Sequence, residues 1–504
     1  MKRLIPATMA TQHPDNATAP YWDSANEAFI DTQKELKDCL SSYQDLDIPE
    51  YMWDWEGKYA DAAIVDKLFS AHHDYFAKKQ LGRDKFLTFR LPNIWQEKGY
   101  SLLQAMSVIL GAEDFARDLN FSQRPLFEVI LPMTERADQI MHMHYLFEKS
   151  ANFKSEVFNG QARSNTDYLE LIPLIESVDG QQDILKLMEE YRRLYHAKYH
   201  KNPAYLRPFL ARSDPALVSG LLATALANKI ALSQLFEFSA KHNIEVYPIA
   251  GVGGLPFRGG LMPELAKQYA AENPGIRTVT IQSSFRFDHP LSRVKAAVAT
   301  LNKLLPKTSP QIINQTSQKN LKKIIEIAQG NYQSTLNGIV KDMFTIFEAV
   351  PKRRERRQHI GLLSYTRSMG QHHLPRAIVF TGAFYSIGVP PEFIGLGNTL
   401  AQLSNAERQL VLDFYPSLIS DLERAGRYLN VENLRLLAKR NRAWLSVEKD
   451  IKNIEGILGL SLGPQTIDEK SHANLAANVL LMKNNRQALP RLITETAELR
   501  RSLG

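Results

Sequence analysis

The chain has 504 residues, of which 44% are hydrophobic and 23% charged, a composition that excludes a disordered or fibrous protein. Its one cysteine, Cys39, excludes an internal disulfide and any cysteine-based zinc site. The net charge of +7 is a mild basic excess and does not by itself indicate a nucleic-acid-binding protein.

No membrane segment is expected. The amino-terminal residues lack the apolar core of a signal peptide. The most apolar stretch, 216–238, contains Asn228 and Lys229, which favours a buried helix over a membrane span, and 377–397 is interrupted by two prolines. We therefore expect a cytoplasmic protein.

Short runs rich in β-branched and aromatic residues alternate with longer stretches of helical periodicity. The strand-like runs lie at 85–91, 126–131, 168–175, 205–210, 245–249 and 278–282. The helix candidates lie at 99–119, 134–150, 181–197, 216–242, 262–272 and 290–304. This alternation predicts parallel βα units.

The predicted fold is α/β, an irregular (β/α)₈-type barrel with many additional helices. No GxGxxG or GxxxxGK[ST] motif follows a strand, which argues against a nucleotide-binding doubly wound sheet. We predict one catalytic unit over 1–504, with barrel elements at about 80–385. The runs at 360–365 and 377–381 are candidates to close the barrel, and 400–504 is a predicted helical layer.

Charged residues follow several of the predicted strands, at Arg90, Glu176, Asp214, Arg258 and Arg286. The active site of a parallel barrel lies at the carboxyl ends of its strands, so these side chains are expected to converge. Two carboxylates can hold Mg²⁺ or Mn²⁺, and arginines bind phosphate and carboxylate groups. The pattern predicts a small, highly anionic substrate bound with a divalent metal.

Each of these residues also has a purely structural interpretation. A single arginine after a strand is usually a surface or salt-bridge residue, and a single carboxylate is often a helix cap. Asp214 precedes Pro215 and an apolar run, which is typical of an N-cap with proline at the first helical position.

Two further segments are candidates for the site. In 251–260, GVGGLPFRGG, the glycines would let backbone N–H groups approach an anion beside Arg258, although a flexible loop is the alternative. His13 lies in a polar, proline-containing segment and is suited to proton transfer, or is an exposed histidine without a role. Asp54, Glu56 and Lys58 are expected to form an ion network lining the site.

The run 352–357, KRRERR, is the strongest basic cluster. A solvated helix face is the simplest interpretation. Contact with nucleic acid, a subunit interface and a site for an anionic effector remain alternatives.

These motifs together resemble the short, archaeal-type branch of the phosphoenolpyruvate carboxylases, along essentially the whole chain. The resemblance rests on TMATQHPDN at 8–16, PLIE at 173–176, Ser213-Asp214, GGLPFRGG at 253–260, the segment 280–287 and Phe89-Arg90. It implies roles for individual residues: catalysis by His13 and Arg258, substrate binding by Arg90, Arg286, Gly253 and Gly254, and metal binding by Glu176 and Asp214.

The resemblance also implies the reaction, which joins phosphoenolpyruvate and bicarbonate to give oxaloacetate and phosphate and so supplies four-carbon acids. The implied cofactor is Mg²⁺ (or Mn²⁺). The implied assembly is a homotetramer built as a dimer of dimers, with no nucleic-acid or membrane partner.

Three positions depart from the longer branch of the family. Val252 replaces a first loop arginine, so Arg367 or Arg376 is expected to substitute for it, and Leu217 replaces a lysine. The chain ends in Gly504 without the preceding Gln-Asn-Thr, so the longer branch's effector site is not implied.

Two rival functions are considered. One is another enolate-forming barrel enzyme, a phosphoenolpyruvate mutase or a C–C lyase. The other is a nucleic-acid-binding or scaffold protein that uses the basic run at 352–357.

Overall fold

Eight parallel strands close into a barrel in this computed structural model, which describes residues 4–58, 61–95, 100–158, 169–355, 363–369 and 372–504. The barrel strands are β1 (Thr8–Thr11), β2 (Glu50–Asp54), β3 (Phe86–Arg90), β4 (Glu128–Leu131), β5 (Glu170–Ile175), β7 (Phe209–Ala211), β9 (Ile249–Gly251) and β10 (Thr278–Ile281). Their order around the barrel is β1-β10-β9-β7-β5-β4-β3-β2. The predicted (β/α)₈-type barrel is confirmed.

The barrel begins earlier in the chain than predicted. β1 and β2 precede residue 80 and complete the closed sheet by pairing in parallel with β10 and β3. Their sequences, TMAT and EYMWD, mix polar and apolar residues although both faces of each strand are buried, a setting in which a continuous apolar run is usual. That mixture conceals the pattern of a strand.

The two segments predicted to close the barrel do not do so. Residues 377–381 begin a helix, Ala377–Ser386, which belongs to the helical layer. Of 360–365, residues 360–362 lie outside the described residues, and the remainder is part of β11 (Leu363–Met369), which pairs antiparallel with β12 (His372–Pro375).

Two predicted strands are each divided by a proline. The run 205–210 becomes β6 (Tyr205–Leu206) and β7, with Pro208 between them, and 245–249 becomes β8 (Glu245–Val246) and β9, with Pro248 between them. Since proline has no N–H to donate, the ladder breaks at these positions. β6 and β8 then pair with each other outside the barrel.

Helices surround the barrel and form a second layer beyond it. The first group comprises α1 (Glu35–Gln44), α2 (Ile64–Ala71), α3 (His73–Lys78), α4 (Tyr100–Asp118), α5 (Ala137–Phe158), α6 (Val178–Gln182), α7 (Ile184–Tyr199), α8 (Ser213–Ser219), α9 (Leu221–His242), α10 (Ala266–Glu272), α11 (Ser283–Phe287) and α12 (Leu291–Leu304). The second comprises α13 (Gln315–Ile339), α14 (Phe344–Ala349), α15 (Ala377–Ser386), α16 (Leu396–Gln402), α17 (Asn405–Phe414), α18 (Leu418–Gly426), α19 (Val431–Arg440), α20 (Trp444–Leu458), α21 (Ile467–Leu481) and α22 (Ala488–Arg500). Short 3₁₀ turns occupy Pro256–Arg258, Pro263–Leu265, Leu305–Lys307, Val340–Met343 and Pro391–Phe393.

Local sequence signals mark several helix ends. Ser404 and Thr466 each form a capping box with a glutamate three residues later, at the starts of α17 and α21. The single helix predicted over 216–242 is divided into α8 and α9 at Gly220, whose φ of +83° favours glycine. Asp214 lies within the first turn of α8 and is not its N-cap, because Arg212 occupies that position.

The apolar core has three parts: one between the barrel and its surrounding helices, one in the second helical layer, and one inside the barrel. The interior cluster includes Met9, Met52, Leu174 and Phe209. In the part of the chain that the structure describes, no individual helix combines the length and apolarity needed to cross a bilayer. One pair bent by 98°, Ala377–Ser386 with Pro391–Gln402, meets that test only when joined.

Candidate active site

A cavity of about 720 Å³, part of it open to solvent, lies at the carboxyl-terminal mouth of the barrel. Met52, Leu174 and Phe209 of the barrel interior form its apolar floor. Its other lining residues are His13, Glu56, Arg90, Glu176, Ala211, Arg212, Ser213, Asp214, Gly251, Arg258, Gln282, Arg376, Ala377 and Ile378. Residues of many separate strand ends thus meet in one space, and the start of α15 borders it from the helical layer.

His13 follows β1 and is half-buried in this cavity. Its Nδ1 lies 2.9 Å from Thr11 Oγ1, and its carbonyl accepts from the backbone N–H of Ser283 at 3.3 Å. Burial, together with the positive charge of Arg90, lowers the pKa of His13 to about 3. The imidazole is therefore neutral near pH 7, and the same low pKa makes it a weak base, suited only to an acidic proton such as that of a carboxyl group.

Glu176 and Asp214 both line the cavity, and both are half-buried. Glu176 follows β5, and its Oε2 accepts from the backbone N–H of Met133 at 2.8 Å. Asp214 lies in the first turn of α8, directly after β7. The structure therefore brings the two predicted metal-binding carboxylates to the same cavity.

Arg90 ends β3 and is held by two carboxylates. Its Nε and Nη2 donate to Asp54 at 2.9 and 2.7 Å, and its Nη1 lies 2.8 Å from Glu56. Burial opposes the charged form of Arg90, but Asp54 and Glu56 raise its pKa well above the usual value. One N–H on each terminal nitrogen is still available to an anion in the cavity. Of the three residues predicted to form an ion network lining the site, Asp54 and Glu56 hold Arg90, whereas Lys58 pairs with Glu35, and only Glu56 lines the cavity.

Arg258 is fixed from four sides. Its Nε donates to Ser213 Oγ at 3.1 Å, its Nη1 to Asp15 at 3.0 Å and also to the carbonyl of Gly504, and its Nη2 to Gln282. Four of its five N–H groups are therefore occupied, and a single N–H on Nη2 is left for a ligand. Its position is thus set before any ligand binds.

Comparison of the sequence with known proteins identifies the family of this chain. Residues 5–504 match the family described as Phosphoenolpyruvate carboxylase. The chain is 48% identical over 503 residues to the phosphoenolpyruvate carboxylase of Leuconostoc mesenteroides, covering 100% of this chain and 99% of the relative. The chain belongs to the phosphoenolpyruvate carboxylase family. Similar proteins of that name occur in Oenococcus oeni, at 44% identity over 504 residues (100% of this chain, 99% of the relative), and in the archaeon Metallosphaera sedula, at 35% over 519 residues (100% of both).

In the glycine-rich loop of this carboxylase family member, Gly253 supports Arg258 and does not line the cavity. Gly253 donates its N–H to the carbonyl of Arg258 at 2.7 Å, and a Cβ there would lie 2.9 Å from the guanidinium carbon. Neither Gly253 nor Gly254 lines the cavity. We predicted that these glycines contact the substrate directly. Their position does not match that prediction, because neither lines the cavity and the N–H of Gly253 is already donated within the loop.

Arg286 also differs from its predicted role. It is fully buried outside the cavity, where it donates to Asp38, to Ser42 Oγ at 2.8 Å and to the carbonyl of Thr11 at 2.8 Å. The reason is geometric. Arg286 lies on α11, after β10 has ended, and its side chain extends to α1 and to the last residue of β1. It positions the segment that carries His13.

A substitute for the missing loop arginine was expected at Arg367 or Arg376. Arg376 lines the cavity at the start of α15. Arg367 lies on β11, and its side chain is outside what the structure describes.

Sequence reasoning missed three residues that hold the site together. Asp15 accepts from Arg258 and from the backbone N–H of Ser284, while Gln282 accepts from Arg258. Glu392, far along the chain, accepts from the backbone N–H of Phe257 at 2.8 Å. Asp15 and Gln282 lie within the recognised motifs, which was the available signal, whereas no local pattern marks Glu392.

The basic run at 352–357 is not a solvated helix face over its described part. Arg353 donates to the carbonyl of Asn16 at 3.0 Å, and Arg354 pairs with Asp38. Both arginines are buried. Residues 356 and 357 lie outside the described residues.

Proposed function

We propose that this protein carboxylates phosphoenolpyruvate with bicarbonate, producing oxaloacetate and phosphate. The observation that carries this function is the meeting of His13, Arg258, Glu176 and Asp214 in one cavity at the mouth of the barrel. A proton acceptor, fixed cations and a pair of carboxylates are the groups that this chemistry requires. Membership of the phosphoenolpyruvate carboxylase family supports the same reaction.

Glu176 and Asp214 would hold a divalent cation, Mg²⁺ or Mn²⁺. They supply the oxygen ligands that these ions prefer. Mg²⁺ commonly binds through one or two protein carboxylates and keeps water and substrate oxygens as its other ligands. When bound, the ion supplies a Lewis acid for negative charge that develops on substrate oxygen.

In the first step an oxygen of bicarbonate attacks the phosphorus of phosphoenolpyruvate. The bond from phosphorus to the enol oxygen breaks, giving carboxyphosphate and the enolate of pyruvate. Arg90 and Arg258 line the cavity with guanidinium groups held by carboxylates, so they would stabilise the transferring phosphoryl group without rearranging.

In the second step His13 accepts the carboxyl proton of carboxyphosphate. The bond between carbon and the phosphate oxygen breaks, CO₂ forms, and His13 returns the proton to phosphate. The enolate carbon then attacks CO₂, forming the new carbon–carbon bond of oxaloacetate. A neutral imidazole is needed for this step, and burial together with Arg90 keeps His13 neutral.

The function is tested by following oxaloacetate with malate dehydrogenase and NADH while phosphate is measured in parallel. We expect both products only when phosphoenolpyruvate, bicarbonate and Mg²⁺ or Mn²⁺ are all present. A mutase or a C–C lyase would act on phosphoenolpyruvate or its product without any bicarbonate-dependent release of phosphate. Such a result would contradict the carboxylase assignment.

A homotetramer built as a dimer of dimers is also part of the proposal, because the family assembles in this way. Light scattering of the purified protein measures its mass directly. A mass of one or two chains at the concentration used for the assay would contradict the tetramer and leave the reaction untouched.

A further inference from the structure

A second cavity lies behind the glycine-rich loop, on the side away from His13. It has about 620 Å³ of empty space, part of it open to solvent. Val252, Gly259 and Gly260 form its loop side, and α9, α10 and α18 with the residues before α18 enclose the rest. The carboxylation mechanism uses no group of this cavity, although Arg212 borders both spaces.

Arg212 is a buried arginine with no carboxylate partner among the described residues. Its side chain is turned towards the second cavity, where it lies 5.8 Å from the ring centre of Tyr415 and donates Nη1 to the carbonyl of Leu221 at 3.2 Å. Nε and Nη2 donate to no described protein acceptor, although Arg212 is only 5% exposed. These two nitrogens form the edge of a guanidinium that binds oxyanions in a bidentate manner.

Lys229 adds a second cation to the same space. Its Nζ donates to the carbonyl of Glu272 at 2.5 Å and to Asn273 Oδ1 at 3.0 Å, so one of its three N–H groups remains. Burial lowers the pKa of Lys229 to about 8, Glu272 opposes that shift and Arg212 adds to it. Arg212 and Lys229 therefore line the same cavity as two cations.

The acidic residues on the cavity wall leave Arg212 without a counter-charge. Asp421 pairs with Arg424 and accepts from Tyr415 at 2.6 Å, so its charge is already matched. Glu272 accepts from Gln268 at 2.9 Å and acts on Lys229, whose charge it partly offsets. A buried arginine without a carboxylate partner is costly, and an anion held by Arg212 and the half-buried Lys229 would offset that cost.

We propose that this second cavity binds a phosphate group, through the free edge of Arg212 and the free N–H of Lys229. A phosphate fits because it has enough oxygens to accept from the Nε–Nη2 edge of Arg212 and from Lys229 at the same time. A simple carboxylate has two oxygens, and the arginine edge alone would use both. The proposal does not depend on the carboxylation reaction.

The site lies against the active-site loop. The Cγ of Arg212 is 3.1 Å from where a Cβ of Gly259 would be, and Gly259 follows Arg258 directly. The backbone N–H of Arg212 also donates to the carbonyl of Gly251 at 3.1 Å. The side chain of Arg212 therefore packs against the residue that follows Arg258.

The test titrates the whole protein with inorganic phosphate by calorimetry, without phosphoenolpyruvate and at constant ionic strength. Because phosphate can also enter the active cavity, wild type is compared with Arg258→Gln and with Lys229→Gln. We expect one class of phosphate binding to survive Arg258→Gln and to weaken at least about tenfold in Lys229→Gln, as expected for loss of a charged hydrogen bond. Lys241→Gln is the matched control, since Lys241 is exposed on the same helix.

Unchanged phosphate binding in Lys229→Gln, or equal weakening in Lys241→Gln, would overturn the proposal. Acetate binding that matches phosphate in affinity would overturn the choice of ligand. If Lys229→Gln does not fold, cyanate labelling of the wild type provides the readout: phosphate should slow modification of Lys229 and leave Lys241 unaffected. Equal labelling of Lys229 with and without phosphate would also overturn it.

Discussion

Asp15 and Arg258 are 243 positions apart in the chain and form a fully buried ion pair, in which Asp15 Oδ2 accepts from Arg258 Nη1 at 3.0 Å. The other oxygen of Asp15 accepts from the backbone N–H of Ser284 at 2.7 Å. One carboxylate therefore links the segment after β1, the glycine-rich loop and the start of α11. The position of the active-site arginine depends on this link.

Asp15→Asn should reduce kcat by about 10²-fold while the fold is retained. An amide has one acceptor oxygen, and two donors face Asp15, so Arg258 or Ser284 must lose its partner. Steady-state kinetics with far-UV circular dichroism measures both effects. Asp74→Asn, the same change at a fully exposed side chain, is the control and should keep wild-type activity. A normal kcat for Asp15→Asn would show that the ion pair does not set the active geometry.

Glu176→Gln and Asp214→Asn should each raise the Mg²⁺ or Mn²⁺ concentration needed for half-maximal activity by at least about tenfold. Both changes preserve shape and remove the negative charge that attracts the metal. Metal titration of activity, together with direct Mn²⁺ binding measured by electron paramagnetic resonance, checks the effect. Wild-type turnover of either variant at limiting metal would contradict the assignment of that carboxylate.

His13→Asn should separate the two chemical steps. The variant should still transfer the phosphoryl group to bicarbonate, but carboxyphosphate would decompose poorly and the enolate would take up a proton. We expect bicarbonate-dependent release of phosphate and pyruvate with little oxaloacetate. Loss of all phosphate release would instead place His13 in the first step, and normal oxaloacetate synthesis would remove it from the mechanism.

The substitution Glu392→Gln should stabilise the folded protein relative to wild type, and this stabilisation should grow as the pH rises from 5 to 7. Burial raises the pKa of Glu392 to about 7, so between its unfolded value near 4.5 and pH 7 the folded state binds a proton that the unfolded state has released. Wild-type stability therefore falls with rising pH by up to about 1.4 kcal/mol per pH unit from this group. The glutamine keeps the oxygen that accepts from Phe257 and Tyr385.

Urea unfolding of wild type and Glu392→Gln at pH 5, 6 and 7 measures this difference. With each increase in pH, the free energy of unfolding of the variant should rise relative to that of wild type. A difference that does not change with pH would mean that Glu392 titrates normally in the folded protein.

Arg207→Met should destabilise the protein by about 3–5 kcal/mol. Arg207 is fully buried at the amino-terminal end of the barrel, where it pairs with Glu50 at 2.7 Å and Glu128 at 2.6 Å. Removing the arginine leaves two buried carboxylates without a counter-charge. Denaturant unfolding gives the loss, and Arg435→Met, at an exposed ion pair, should change stability by less than about 1 kcal/mol. A small effect at Arg207 would mean that the glutamates take up protons at little cost.

The last six barrel strands in chain order could be predicted from sequence, because each is a compact run of β-branched and aromatic residues between helices. The first two could not, because TMAT and EYMWD contain polar residues whose burial is decided by partners elsewhere. Glu50, for example, is acceptable in β2 only because Arg207 lies opposite it. The same limitation made 377–381 resemble a strand, although it is the apolar first half of a buried helix.

The sequence by itself determined the alternation of strands and helices, the motifs that identify the family, and the location of Glu176, Asp214, Arg258 and His13 in or after those motifs. Only the tertiary structure decided which arginines face the cavity. Arg286 and Arg212 both follow barrel strands, yet the first is paired with Asp38 under β1 and the second has no carboxylate partner in the described chain. The reason is that the role of a charged side chain depends on the charges packed around it, and those come from residues distant in the chain.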